Sequence, residues 1–145
     1  MMIQYISEGV KVPQIKKQKI NRWIKAVAAD YDKKIGDIAY IFCNENRILE
    51  INQKYLQHDY YTDIITFDDS ERNLISGDIF ICIDTVKSNA EKFQTDFMQE
   101  LYRVMIHGIL HLCGQDDKTS EQKEEMTFKE NKALSQLKEI LSPKI

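Results

Sequence analysis

The sequence predicts an α+β fold: one domain over residues 1–145, a small mixed sheet of about four strands packed with about five helices, and a histidine motif on a central helix. Three observations carry this. Short runs rich in Ile, Tyr and Phe read as strands. Longer stretches between them repeat apolar residues at helical spacing. The composition, 43% hydrophobic and 30% charged in 145 residues, supports one core without staples and leaves little room for a second domain.

Residues 2–7 alternate loosely and form the first strand. Pro13 marks a helix start, and Ile20, Trp23, Ile24 and Val27 recur at helical spacing, so a helix runs near 14–30 with Trp23 in its core stripe. Asp37 to Cys43 is rich in β-branched and aromatic residues and reads as a buried strand. Asn44 is an N-cap for a helix carrying Ile48, Leu49, Asn52 and Leu56. His58 to Thr62 is a loop by composition. Ile64 to Phe67 is a short strand, Asp68 to Ser76 a polar turn, and Gly77 to Ile83 an alternating strand. Asp84 caps a helix through about Phe93. A longer helix spans about Asp96 to Cys113, its inner face lined by Leu101, Val104, Met105, Gly108 and Leu112, and Gly114 stops it as a left-handed cap residue does. Thr119-Ser-Glu-Gln122 is a capping box opening a final helix to about Leu141, with Pro143 beyond its end.

No apolar run approaches the roughly 18–20 residues of a membrane span. The N-terminus lacks the charged start and apolar stretch of a signal peptide. Three cysteines, Cys43, Cys82 and Cys113, form an odd set without CxxC spacing, which argues for reduced thiols and a cytoplasmic location. The formal net charge of −3 does not advertise nucleic-acid binding. Its distribution is less even. From Val10 to Ala29 there is no acidic residue, while Lys11, Lys16, Lys17, Lys19, Arg22 and Lys25 are all basic; acid concentrates in Glu121 to Glu130. Such a local basic face can track a phosphate backbone, although the same pattern also describes an ordinary solvated helix face.

His107 and His111 lie four apart on the predicted long helix, so their imidazoles stack one turn apart, about 6 Å, on one face. Helical histidine pairs more often serve packing or the surface than a metal. Here, however, Gly114 turns the chain sharply, which can bring Asp116 or Asp117 back to the pair. Two histidines and one carboxylate form a zinc-compatible set that keeps a fourth position open, as catalytic sites require. In the helical peptidase pattern H-E-x-x-H, the residue after the first histidine is the general base; here it is Gly108, which cannot accept a proton, so the sequence argues against peptide hydrolysis by that route. Cys113 lies in the same segment and reads as a packing residue, and His58 as an exposed loop histidine.

The segment His107-Gly-Ile-Leu-His111-Leu-Cys-Gly114-Gln-Asp-Asp117 resembles the signature of the YbeY family of endoribonucleases and ribosomal RNA maturation factors, H-G-x-L-H-L-x-G-x-D-H. A second stretch, Asn52-Gln-Lys-Tyr55-Leu-Gln-His-Asp59-Tyr-Tyr-Thr62-Asp63-Ile-Ile-Thr-Phe67, is similar to its N-x-x-Y-R-x-x-D-x-x-T-D-V-L-S-F, and Gly77-Asp-Ile resembles its G-D-I strand. The resemblance covers nearly the whole chain. It implies one α+β domain, one Zn2+ ion, cleavage of single-stranded RNA and a role in ribosomal RNA processing and ribosome biogenesis in the bacterial cytoplasm. The ligands it implies are His107, His111 and, where the family has histidine, Asp117. A carboxylate there is a harder, charged ligand. The family's arginine falls on Leu56, which offers neither charge nor hydrogen bond. Lys118 and Arg103 are the cations nearest the motif, and no catalytic base is identified.

The leading expectation is therefore a zinc-dependent endoribonuclease whose partner is RNA (ribosomal RNA or a ribosomal subunit), not DNA and not a membrane, held in part by Lys16, Lys19 and Arg22. The first alternative is a metal-stabilised RNA- or ribosome-binding factor with weak or vestigial catalysis, motivated by Leu56. The second is a metal-dependent hydrolase of a small phosphoester, which a substrate panel would separate from the others.

Overall fold

A computed structural model describes residues 2–56 and 62–142. Strand β1 (Met2–Ser7) leads to helix α1 (Lys17–Ala29), β2 (Lys34–Cys43), α2 (Glu45–Leu56), β3 (Ile64–Asp68), β4 (Leu74–Cys82), α3 (Ile83–Lys92), α4 (Phe97–Leu112) and α5 (Ser120–Leu141). The four strands form one mixed sheet in the order β1-β2-β4-β3. β1 pairs with β2 and β2 with β4 in parallel, while β3 runs antiparallel to β4.

Alternation along the strands divides the core in two. Ile38, Tyr40 and Phe42 of β2, with Ile79 and Ile81 of β4, meet the stripe Ile20, Trp23, Ile24 and Val27 of α1 and the inner face of α4. The intervening residues Cys43 and Cys82 join Ile48 and Ile51 of α2 and Ile65 of β3 in a smaller cluster. Trp23 is 0% exposed, and its indole Nε1 donates to the carbonyl of Ala133 in α5 at 2.7 Å. The predicted core role of Trp23 thus holds, and the bond satisfies the one polar atom such burial leaves.

Helix α4 is the mount for the histidine motif. Leu101, Val104, Met105, Ile106, Ile109, Leu110 and Leu112 are all buried. At about 1.5–3 kcal/mol for each large apolar side chain, this face fixes the helix firmly against the sheet. Gly108 also faces the sheet: a Cβ there would lie 3.1 Å from Ile79 and 3.2 Å from Ile64. The small residue lets helix and sheet approach closely, and a glutamate at 108 would point into the core rather than into a cleft.

Four boundaries differ from the sequence reading. α1 begins at Lys17 rather than near 14, because residues 14–16 offer no capping side chain and Lys16 takes φ −83°, ψ 85°. β2 begins at Lys34, three residues early, and β4 at Leu74, inside the predicted polar turn. Each draws the other in through the pairs Lys34↔Leu74 and Ile35↔Ile75. Asp84 does not cap its own helix, whose N-cap position is Cys82. It lies in the first turn of α3 and accepts a bond from the Glu45 amide at 3.0 Å, helping to cap α2 instead. Asn44 caps α2 as expected, its Oδ1 accepting from the Arg47 amide at 2.9 Å, and the Thr119–Gln122 capping box on α5 is fully formed.

Candidate metal centre

The C-terminus of α4 sets the centre. Gly114 adopts φ 104°, the left-handed conformation that favours glycine. Its amide donates to the His111 carbonyl and that of Gln115 to the Leu110 carbonyl, each at 3.0 Å. This double closure reverses the chain and carries residues 115–118 back along the helix.

Both imidazoles are held through Nδ1. His107 Nδ1 lies 2.7 Å from Glu130 Oε2 on α5, and His111 Nδ1 lies 2.8 Å from the Gln115 carbonyl. A carboxylate and a carbonyl can only accept, so each ring donates from Nδ1 and keeps the Nε2 lone pair available when neutral. The ring centroids are 6.0 Å apart. Asp117 Oδ2 stands 3.3 Å from His107 Nε2, on the side of the ring away from Glu130. Of the two carboxylates in the turn, Asp117 is thus the one that reaches a histidine, while Asp116 is exposed. Among the described residues, no three His, Cys, Asp or Glu side chains are already gathered as a metal cage.

Glu130 was not anticipated from sequence. It is 7% exposed, and Arg103 holds it: Nη1 donates to Glu130 Oε1 at 2.8 Å, and Nη2 to Asn131 Oδ1 at 2.7 Å. Arg103 is therefore engaged behind His107, whereas Lys118 is exposed, with its main-chain amide bonded to Gln122. Burial pulls the His107 pKa down, but the hydrogen bond and charge of Glu130, with Asp117 and Asp63, outweigh it and raise the pKa above the usual imidazole value.

A cavity of about 160 Å3 lies beside His107, its polar wall made by Asp63, Glu100, Arg103 and Glu130. Burial raises the pKa of Asp63, with the charge of His107 opposing the shift, and it also raises that of Glu100, opposed by Arg103. A wider groove of about 680 Å3 continues from Glu100 and Arg103 toward Leu141 and contains neither histidine. Lys16, Lys19 and Arg22 lie on or next to α1 and line neither cavity. Leu56 ends α2 and is 40% exposed; His58 falls outside the described residues. Burial pushes the Cys113 thiol up to about 11, and the side chain packs, partly buried, against the main core.

Comparison with known proteins agrees with this architecture. The family described as Endoribonuclease YbeY matches residues 3–138. The chain is 58% identical over 139 residues to an Endoribonuclease YbeY of Bacteroides fragilis, covering 96% of this chain and 100% of that protein. It is 45% identical over 143 residues to that of Porphyromonas gingivalis, covering 99% and 95%. The solution structure of TM1509 from Thermotoga maritima superposes with a TM-score of 0.64 at 28% identity, covering 94% of this chain and 89% of that one.

Proposed function

Because the chain belongs to the endoribonuclease YbeY family, we propose that it is a zinc-dependent endoribonuclease. In this reading it cleaves single-stranded RNA in the maturation of ribosomal RNA, serves ribosome biogenesis, and works in the bacterial cytoplasm. No helix among the described residues is long and apolar enough to cross a membrane, which is compatible with that location.

The observation that carries the metal assignment is the double Nδ1 anchoring of His107 and His111, with Asp117 beside His107 Nε2. Two imidazoles that present Nε2 when neutral, with one carboxylate, suit zinc chemically, and a carboxylate or carbonyl behind each imidazole is the usual support for a ligating histidine. His107, His111 and Asp117 would hold the ion. When bound, zinc supplies Lewis acidity toward a phosphodiester oxygen. The chain's own residues do the rest: Glu130 orients His107, Arg103 fixes Glu130, and the Gln115 carbonyl orients His111. Lys16, Lys19 and Arg22 provide positive charge for the RNA backbone.

Elemental analysis of the purified protein beside Asp117→Ala, paired with cleavage of a single-stranded RNA by the protein and by His111→Ala, tests this reading. Near-stoichiometric zinc that falls in Asp117→Ala, with cleavage abolished in His111→Ala, is expected. Cleavage that persists in a zinc-free His111→Ala preparation would sink it.

Leu56 favours a second reading, a metal-stabilised RNA- or ribosome-binding factor with weak catalysis. Leucine stands where the family pattern has arginine, and Arg103 is already occupied by Glu130 and Asn131. Tight RNA binding without turnover would select it.

A further inference from the structure

We propose that Gln115 is a positioning residue for the metal centre, clamping the turn after α4 to α5 so that His111 and Asp117 are held in place. This inference rests on the zinc reading above.

Gln115 sits between Gly114 and Asp116, at a position the family signature leaves open, so the motif itself does not call for a glutamine. It is only 7% exposed, in a turn whose neighbours Gly114 and Asp116 are exposed. A large polar side chain is buried this way only if its hydrogen bonds are made inside, and here they are. Nε2 donates to the Asp116 carbonyl at 2.8 Å and to the Gln122 carbonyl at 3.4 Å. Oε1 accepts from Lys129 Nζ at 2.6 Å. Both amide protons and one oxygen lone pair are thus used, and Lys129 is itself seated 4.9 Å over the ring of Tyr31.

The main chain of the same residue does the positioning. Its amide closes the end of α4 on Leu110, and its carbonyl receives His111 Nδ1. Side chain and main chain therefore work together: the side chain pins the turn to α5, and the pinned carbonyl selects the His111 tautomer that leaves Nε2 available. Asp117, two residues on, is carried by the same turn. Gln122 secures the far side, its Oε1 accepting from the amides of Lys118 and Thr119 at 3.0 and 3.1 Å.

A purely structural role would lower stability without touching the imidazole. The test therefore reads the ring directly. 15N chemical shifts of His111 would be recorded on the metal-free full chain at about pH 8, where a free imidazole is neutral. Zinc dissociation constants would be measured against a competing chelator. The variants are Gln115→Ala and, as a milder change should that one not fold, Lys129→Met.

Wild type is expected to hold the His111 proton on Nδ1. Gln115→Ala should populate the other tautomer and weaken zinc about 10–100-fold, and Lys129→Met should move both readouts the same way by less. A folded Gln115→Ala with an unmoved His111 tautomer and wild-type zinc affinity would overturn the proposal. If Gln115→Ala does not fold, the same null result in Lys129→Met overturns it. Should wild type take up no zinc, the metal reading fails separately, and the His111 tautomer alone decides the role of Gln115.

Discussion

Glu130 and Glu100 are both carboxylates almost closed off from water, at 7% and 8% exposure, yet their surroundings differ. Glu130 has a guanidinium on one oxygen and an imidazole on the other, and both bonds are made to its charged form. Replacing it by Gln removes the charge behind His107 while nearly preserving shape, so zinc affinity should fall about 10–100-fold; chelator competition measures this, and an unchanged affinity would remove Glu130 from the centre. Glu100 has a raised pKa, desolvation outweighing the pull of Arg103. A carboxyl whose folded-state pKa lies above its unfolded value contributes most below the unfolded value, and loses that contribution as pH rises through the folded one. Glu100→Gln, neutral at every pH, should therefore be more stable than wild type at neutral pH. The advantage should vanish below about pH 4, where the unfolded carboxyl is protonated too. Thermal midpoints at the two pH values give the answer, and an advantage that grows in acid would contradict the assignment.

At the level of elements, α4 has two faces with opposite demands. The His107–His111 face must stay polar and reachable, and the Gly108 face must close on β3 and β4. Gly108→Glu would recreate the peptidase spacing H-E-x-x-H, but it would place a carboxylate against Ile79 and Ile64. The expected result is destabilisation of about 3 kcal/mol or more with no gain of peptidase activity, read as a lower urea midpoint; wild-type stability would show that this face is not sealed. The helical spacing of the histidines, the turn at Gly114 and the return of a carboxylate were legible in sequence because all are local. Glu130 was not, since it lies 23 residues beyond His107 and reads as one more charge on an acidic helix. Gln115 was hidden differently: only the fold reveals that this position is buried. Asp84 had the composition of a cap and became one for a different helix, because the N-termini of α2 and α3 meet only in three dimensions. The strand starts at Lys34 and Leu74 escaped for the same reason, each being recruited by its partner in the sheet rather than by its own sequence.

For the molecule as a whole, the charge is divided. Basic residues gather on and just before α1, while the acidic stretch lies in the first half of α5 around the brace of the centre. If α1 meets the RNA backbone, the combined reversal of Lys16, Lys19 and Arg22 to glutamate should weaken single-stranded RNA binding. It should also flatten the salt dependence of log Kd by about 0.7 for each phosphate that is no longer neutralised. Titrations at several salt concentrations measure this, and an unaltered slope would place the RNA on another face. The bond from Trp23 to Ala133 spans 110 residues. During synthesis, α1 emerges among the first elements, yet the native acceptor of its indole, the Ala133 carbonyl, is made only with the second half of α5. Chain growth from the N-terminus thus produces a sheet-forming half that waits, with its largest side chain unsealed, for the helix that also braces the histidines. A chain cut short before α5 lacks both the acceptor that seals Trp23 and the Glu130 carboxylate that holds His107.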